Sequence, residues 1–406
     1  MHILIVNDYA YINGGAGKVA LTSAIALAER GHAITVFTAV PPIMPELCHP
    51  HIQVVNTEQH DILNNPSRMQ AVVQGLWNMK AYRSMGDILS SLSPADTIVH
   101  LHAWTKALSS SIVRQALSRK FAVVLTLHDY FSACPNGGFY NYRKCKICTL
   151  VPLSLRCISE QCDSRSYYQK IWRVMRQILQ TRYGLVPNAI KDFISVSRFS
   201  EGIMKPYLPQ GHFMHYIPNP VEGSQEKMVD AGNNDKLIFV GRLSPEKGIT
   251  SLVSSAHITG YDITFVGEGP CRQYIESRLP KSSVTGWLAP VLVREHMKTA
   301  RALIFPSIWY ETQGLVVQEA ASMGVPAIVS DTSSARDLII DGVTGLLFRG
   351  GDDNDLADKI RIIQDCSTAQ KLGKAAYERY WMNPPTMEKH LELLEKCYSA
   401  TLNRHT

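Results

Sequence analysis

Between Ala302 and Asp331 the chain reads ALIFPSIWYETQGLVVQEAASMGVPAIVSD, a pattern that few folds can accommodate. An apolar run, Leu303–Phe305, is closed by Pro306 and reads as a short buried strand. A loop carrying Glu311, Thr312 and Gly314 follows. Leu315 to Met323 then reads as a helix stopped by Gly324, and Val325–Ser330 as a second strand. Strand, loop, helix and strand in that order form a βαβ unit, which demands a parallel sheet covered by helices. In such sheets ligands gather at the carboxyl ends of the strands. Glu311 falls on the loop and Glu319 inside the helix. Two carboxylates so placed can accept hydrogen bonds from sugar hydroxyls while the helix N-terminus receives a phosphate. A solvated Glu311 and a Glu319 paired with a lysine explain the same pair without any ligand.

The chain opens with a second unit of this kind. His2–Val6 reads as a parallel strand, Asn13–Gly17 (NGGAG) as a glycine turn, about Lys18 to Arg30 as a helix ended by Gly31, and Ala33–Thr38 as the next strand. Val19 after Lys18 and Ile12 rule out a P-loop, and the dinucleotide spacing is missing. Gly14, Gly15 and Gly17 allow close approach of a ligand to the backbone; a tight turn without one needs them equally. Prolines 41, 42, 45 and 50 mark an irregular connection, and Met69 to Leu92 reads as helical. Thr97–Leu101 and Val123–Leu127 are two more buried strands, each ending at a histidine, His102 and His128. A titratable group at a strand end in a Rossmann-like half is where catalytic residues collect. A histidine satisfied by a backbone carbonyl is the alternative.

At 406 residues the natural expectation is two domains. A net charge of +6 suits polyanionic ligands or an anionic membrane surface, and is too diffuse to imply nucleic acid. No basic segment precedes the apolar Met1–Asn7, and no apolar run approaches the ~20 residues of a spanning helix. The expectation is a cytoplasmic protein, whose nine cysteines serve as thiols or metal ligands. Five of them, Cys134, Cys145, Cys148, Cys157 and Cys162, crowd one insertion, where Cys145 and Cys148 have the C-x-x-C spacing of a metal knuckle. A structural zinc held by four of the five is the reading. An iron–sulfur cluster and reduced thiols are the alternatives.

Tyr167 to Tyr183 reads as an amphipathic basic helix. Tyr168, Ile171, Trp172, Met175, Ile178 and Leu179 recur at helical spacing, with Lys170, Arg173, Arg176 and Arg182 on the other side. Such a helix suits peripheral contact with an anionic membrane; an apolar stripe packed on its own domain is the alternative. Phe193–Ser197 reads as a strand, with a helix start at Ser200. Residues 218–235 are rich in Pro, Gly, Asn and charge and read as a linker. A second Rossmann-like half follows: the strand Lys236–Val240, the turn GRLSPEKG at Gly241–Gly248, and the strand Ile263–Val266 with Gly267 behind it. Arg242 and Lys247 on that turn can neutralise a diphosphate leaving group.

These segments resemble the retaining glycosyltransferases of family 4, which have the two-domain GT-B fold. The likeness runs over nearly the whole chain, through NGGAG, LTLHDY, ISVSRFS, FVGRLSPEKG, FVGEGP, the 302–331 stretch and DGVTGLLF. It implies an α/β fold of two doubly wound domains facing a cleft, about 1–216 for the acceptor and 217–380 for the nucleotide sugar. A final helical segment, 381–406, would return to the first domain. It also implies transfer of a hexosyl group from a UDP- or GDP-sugar to a glycan or polyprenyl-linked glycan, in cell-surface polysaccharide synthesis at the inner face of the membrane, without a catalytic metal. His128, Glu311, Arg242 and Lys247 would be catalytic. Donor contacts would fall also on Gly15, Gly241, Gly267, Trp287, Thr312, Gly314, Leu315, Val316 and Glu319, and acceptor contacts on Gly17 and His102. Gln313 stands where the family often has a bulkier residue, and Pro220 replaces the glycine of its PNG tripeptide. A nucleotide-sugar 2-epimerase, a phosphorylase-like enzyme and a non-enzymatic sugar-nucleotide sensor are the rival functions.

Overall fold

In the computed structural model of the protein, residues 1–405 are described. The N-terminal half carries β1 (His2–Val6), β2 (Ala33–Thr38), β3 (Ile52–Asn56), β4 (Thr97–Leu101) and β5 (Ala122–Thr126). A small antiparallel hairpin, β6 (Tyr140–Asn141) and β7 (Lys146–Ile147), interrupts it before β8 (Asp192–Ser195) and β9 (Phe213–Tyr216). Seven of these form one parallel sheet in the order β3-β2-β1-β4-β5-β8-β9. The other half contains β10 (Lys236–Val240), β11 (Ile263–Val266), β12 (Ser283–Val284), β13 (Ala300–Phe305), β14 (Ala327–Ser330) and β15 (Gly345–Phe348). They form a second parallel sheet in the order β12-β11-β10-β13-β14-β15.

The strands that read as apolar runs are buried along almost their whole length, as a parallel sheet covered on both faces requires. Each sheet reverses its strand order once, between β1 and β4 and between β10 and β13. A crevice opens at the carboxyl ends of such a switch point, so the two sheets present two crevices.

The last helix, Met387–His405, leaves the second half and packs on the first sheet. Leu391, Leu394, Cys397 and Tyr398 share a core with Ile3, Ile5, Val124 and Ile194. Burying Leu391 and Leu394 contributes about 1.5–3 kcal/mol each, so the helix belongs to the first domain energetically.

Local departures have physical causes. The first helix runs Gly15–Glu29 and so begins inside the glycine turn, with Gly14 at φ 92° supplying the left-handed entry. The 69–92 helix is two, Arg68–Leu76 and Met79–Ser90. Asn78 starts the second by accepting from the Ala81 N–H, which takes its side chain out of helical register. The β3 strand went unread because it is a half-buried edge strand in which Ile52, Val54 and Val55 neither alternate cleanly nor form a continuous run.

The helix Tyr167–Arg182 reverses the orientation that its sequence suggests. Lys170, Val174, Arg176, Gln177 and Gln180 are buried, while Tyr168, Met175 and Ile178 face outward. Its inward polar groups find acceptors on the segment that follows His128. Gln180 donates to the Phe131 carbonyl at 2.8 Å and Gln177 to that of Ser132 at 3.3 Å. The Arg176 guanidinium lies 4.7 Å from the Phe131 ring centre.

Candidate active site

The β10 end supplies the cations. Gly241 and Gly267 meet where β10 and β11 stop: a Cβ on Gly267, at φ 145°, would stand 1.9 Å from the Gly241 carbonyl oxygen. That close approach aims the following turn into the crevice. On the turn, Arg242 is exposed and has no carboxylate partner among the described residues. Lys247 forms an ion pair with Glu311, its ammonium 5.6 Å from the centre of the Trp309 ring. Glu311 is buried and also accepts from the Ser307 hydroxyl at 3.0 Å. The carboxylate read as solvated in the bland alternative is therefore fixed by two partners.

Just beyond it, the helix Leu315–Met323 starts at Gly314 with no side-chain cap. The first N–H groups of the helix, at Leu315 and Val316, thus carry its positive end unshielded. Glu319 follows in the next turn, half-buried. Burial raises its pKa, against attraction from Lys18 and Arg294. Gly15, at the glycine turn, faces this helix start: a Cβ there would lie 3.9 Å from Leu315. Gly17 is buried beside Asn7 and turned away from open solvent. Trp287 is 76% exposed and follows Gly286, which bridges Gly267 at the same end of the sheet.

The two halves touch at the site itself. The Thr312 hydroxyl donates to the His128 carbonyl at 3.0 Å, and Tyr310 inserts among Tyr130, Phe139 and Phe199. Gln313, the departure noted in the sequence, accepts from the Asn219 N–H at 3.2 Å and so pins the linker.

Behind His128 lies a buried chain of rings. His128 Nε2 is 2.9 Å from His102 Nδ1, and His102 Nε2 is 3.2 Å from His100 Nδ1. His100 in turn meets the Tyr398 hydroxyl at 2.7 Å and the Thr126 hydroxyl at 2.7 Å. Burial, aided by His390, lowers the His128 pKa to about 3, and His102 and His100 are held well below the ordinary value. His128 is therefore neutral near neutral pH, a hydrogen-bonding group. His102, expected at the acceptor, is 4% exposed and serves His128 from behind. The sequence reading missed His100, His390 and Tyr398. His100 had a signal, since it lies two residues before His102 on one face of a strand. Asp8 was missed too; it accepts three N–H groups from Lys106, Ala107 and Leu108 and fixes the loop after β4.

The cysteines do not form the knuckle that their spacing suggests. Cys145 is exposed, its sulfur turned to the Tyr142 carbonyl at 3.6 Å, whereas Cys148 is half-buried. Cys134, Cys157 and Cys162 are buried, and the ammonium of Lys170 stands 3.5 Å from Cys157 Sγ and 3.3 Å from Cys162 Sγ. Among the described residues no group of three or more His, Cys, Asp or Glu side chains is arranged to hold a metal ion. The residues as they stand do not fit a zinc site, because a buried cation of the chain's own occupies the approach to two of the sulfurs.

The family model for Glycosyltransferase Family 4 matches residues 13–224, and that for Glycosyl transferases group 1 matches residues 222–379. Among curated proteins, the sulfoquinovosyl transferase SQD2 of Arabidopsis thaliana is 32% identical over 39% of this chain and 33% of its own length. A GDP-mannose-dependent alpha-mannosyltransferase of Corynebacterium glutamicum is 32% identical over 30% of each. The chain thus spans about a third of the length of these relatives. An uncharacterized 42.6 kDa protein in the cps region of Klebsiella pneumoniae is 23% identical over 83% of this chain and 87% of its own. Sucrose-phosphate synthase of Thermosynechococcus elongatus has a TM-score of 0.72 at 18% identity, covering 99% of both chains. Anabaena HepE in complex with UDP and glucose has a TM-score of 0.65 at 15% identity, covering 98% of this chain and 100% of its own. No helix among the described residues is long and apolar enough to cross a membrane.

Proposed function

Because this chain belongs to glycosyltransferase family 4, we propose that it is a retaining hexosyltransferase acting on a nucleoside-diphosphate sugar. One observation carries the reading: an unpaired Arg242, the Lys247–Glu311 pair and an uncapped helix start converge across the cleft from a neutral His128. The diphosphate would lie on the N–H groups of Leu315 and Val316 and exchange Glu311 for itself as the partner of Lys247. Glu319 would hold the ribose. Glu311, released, would accept from hydroxyls of the sugar.

Front-face displacement follows from these groups. The C–O bond to the leaving phosphate breaks as the acceptor oxygen attacks from the same side, and the phosphate oxygen takes the acceptor proton. Arg242 and Lys247 hold the charge that develops on the phosphate. His128 stays neutral and positions the donor sugar, which supplies orientation and no covalent bond.

The donor is a UDP- or GDP-sugar, supported by relatives named for GDP-mannose and a neighbour bound to UDP. The acceptor is a glycan or a lipid-linked glycan of surface polysaccharide synthesis, in keeping with the likeness to the protein in the Klebsiella cps region. On this reading the enzyme works as a peripheral protein at the inner face of the cell membrane. Incubation with a panel of UDP- and GDP-sugars, with and without glycan acceptors, tests it, with the product anomer read by proton NMR. Transfer with retention supports the reading. Inversion defeats the mechanism, isomerisation without an acceptor identifies an epimerase, and binding without turnover a sensor.

A further inference from the structure

The helix Tyr167–Arg182 is turned inside out, and its outward side is large and apolar. Tyr168 is 88% exposed, and Met175 and Ile178 are 45% and 42% exposed. The neighbouring helix, Arg68–Leu76, is tied to it by Trp172 Nε1–H donating to the Val72 carbonyl at 3.2 Å. It adds Met69 and Val73 to the exposed apolar surface. A groove of about 320 Å³ runs between the two helices, with Arg68 and Arg165 among its lining and no carboxylate.

Charge identifies the occupant. From Ile62 to Gly86, and from Ser164 to Lys191, there is no aspartate or glutamate. The same two segments carry exposed Arg68, Lys80, Arg83, Arg165 and Arg182. A second copy docking through this face would set these cations against their own images, which like-charge repulsion opposes. An anionic bilayer satisfies both features, taking apolar side chains at the headgroup–acyl boundary and cations among the headgroups.

We propose that the face formed by the helices Arg68–Leu76 and Tyr167–Arg182 docks on an anionic lipid surface. Met69, Val73, Tyr168, Met175 and Ile178 enter it, while Arg68 and Arg165 engage headgroups. The inward side of the second helix holds the Phe131 and Ser132 carbonyls just after His128. The bilayer and the catalytic loop then lie on opposite sides of one helix, about 10 Å apart. The proposed transfer gives this surface its purpose; its physical basis is exposure and charge alone.

Flotation of the full chain with acceptor-free vesicles provides the test. The protein should rise with vesicles of phosphatidylglycerol in phosphatidylcholine, stay behind with pure phosphatidylcholine, and detach in high salt. Replacing Met69, Tyr168 and Ile178 together by serine should weaken vesicle binding by about tenfold or more. Circular dichroism and turnover on a soluble acceptor should be unchanged. No binding to anionic vesicles, equal binding by the triple variant, or a concentration-dependent dimer that the triple variant loses would overturn the proposal. Transfer without vesicle binding defeats only the docking, and vesicle binding without transfer defeats only the enzymatic reading.

Discussion

His128 Nε2 and His102 Nδ1 lie 2.9 Å apart, and both rings are neutral near neutral pH. One nitrogen must donate and the other accept, so the proton on His102 dictates which nitrogen of His128 is bare. His100 and Tyr398 impose the same constraint on His102 from further back. His102→Phe keeps the ring volume and removes the constraint. Turnover should fall about tenfold, the worth of one hydrogen bond, with donor affinity nearly unchanged. Nitrogen-15 spectra should show His128 as a mixture of tautomers; a single tautomer at full kcat would disconnect the two rings.

Stability should decline in mild acid. His128 and His390 have pKa values lowered to about 3 and about 4 by burial, and His100 and His102 are also held below the ordinary 6.5. From 6.5 down to those values the unfolded chain binds more protons than the native one, so stability is lost as pH falls. Asp8 opposes this, since burial raises its pKa to about 6 and the native chain holds its proton between 3.8 and 6. Asp129 and Glu319, whose pKa values burial also raises, oppose it in the same sense, and the four histidines outweigh these three carboxyls. Urea midpoints should be flat above neutrality and drop below about pH 6.5, and His390→Gln should flatten the drop. A midpoint that rises on acidification would contradict the burial of these rings.

Arg242 and Lys247 differ in what they leave behind. Alanine at either should cost about 10²–10³ in turnover if they stabilise the leaving phosphate. Lys247→Ala also strands buried Glu311 without its cation and should lower the melting temperature. Arg242→Ala, exposed and unpaired, should not. The double variant Lys247→Ala with Glu311→Gln should recover the melting temperature and not the activity. Equal thermal losses for both single variants would refute this division.

Glu319→Ala should weaken nucleotide-sugar binding by about 1.5–3 kcal/mol, the range for a hydrogen bond to a charged group. Calorimetry measures it directly. An unchanged dissociation constant would remove Glu319 from the donor site.

Among the loop thiols, alkylation of the native protein should label Cys145 quickly and leave Cys134, Cys157 and Cys162 protected until unfolding. Protection should persist in EDTA, because the buried sulfurs surround Lys170. Protection lost in EDTA together with release of about one zinc per chain would show that an ion, and not burial, holds the loop.

Much of the architecture was written locally. The helix Leu315–Met323 and the strand Thr97–Leu101 have the bounds their apolar spacing implied. Arg242 and Glu311 lie at one end of the second sheet because its parallel strands point their carboxyl ends the same way, and Thr312 beside them reaches the His128 carbonyl at a strand end of the first sheet. What stayed hidden depends on long-range partners. Tyr167–Arg182 has the spacing of an inward apolar stripe, but the acceptors that turn it over are distant in sequence, such as the Thr105 carbonyl 71 positions from Arg176 and the Ser132 carbonyl 45 from Gln177. The ring chain draws Tyr398 from the far end of the sequence.

The return of the Met387–His405 helix to the first sheet has a consequence for how such enzymes can be reshuffled. Tyr398 joins the ring chain of the first half, and His390 lies near enough to act on His128, although both are encoded after the second half. A crossover that exchanged second halves at the linker would carry a foreign tail into that chain of rings. A chimera should keep His128 in register only when two junctions are used, one near residue 220 and a second ahead of Met387, so that the second half is swapped as an insert.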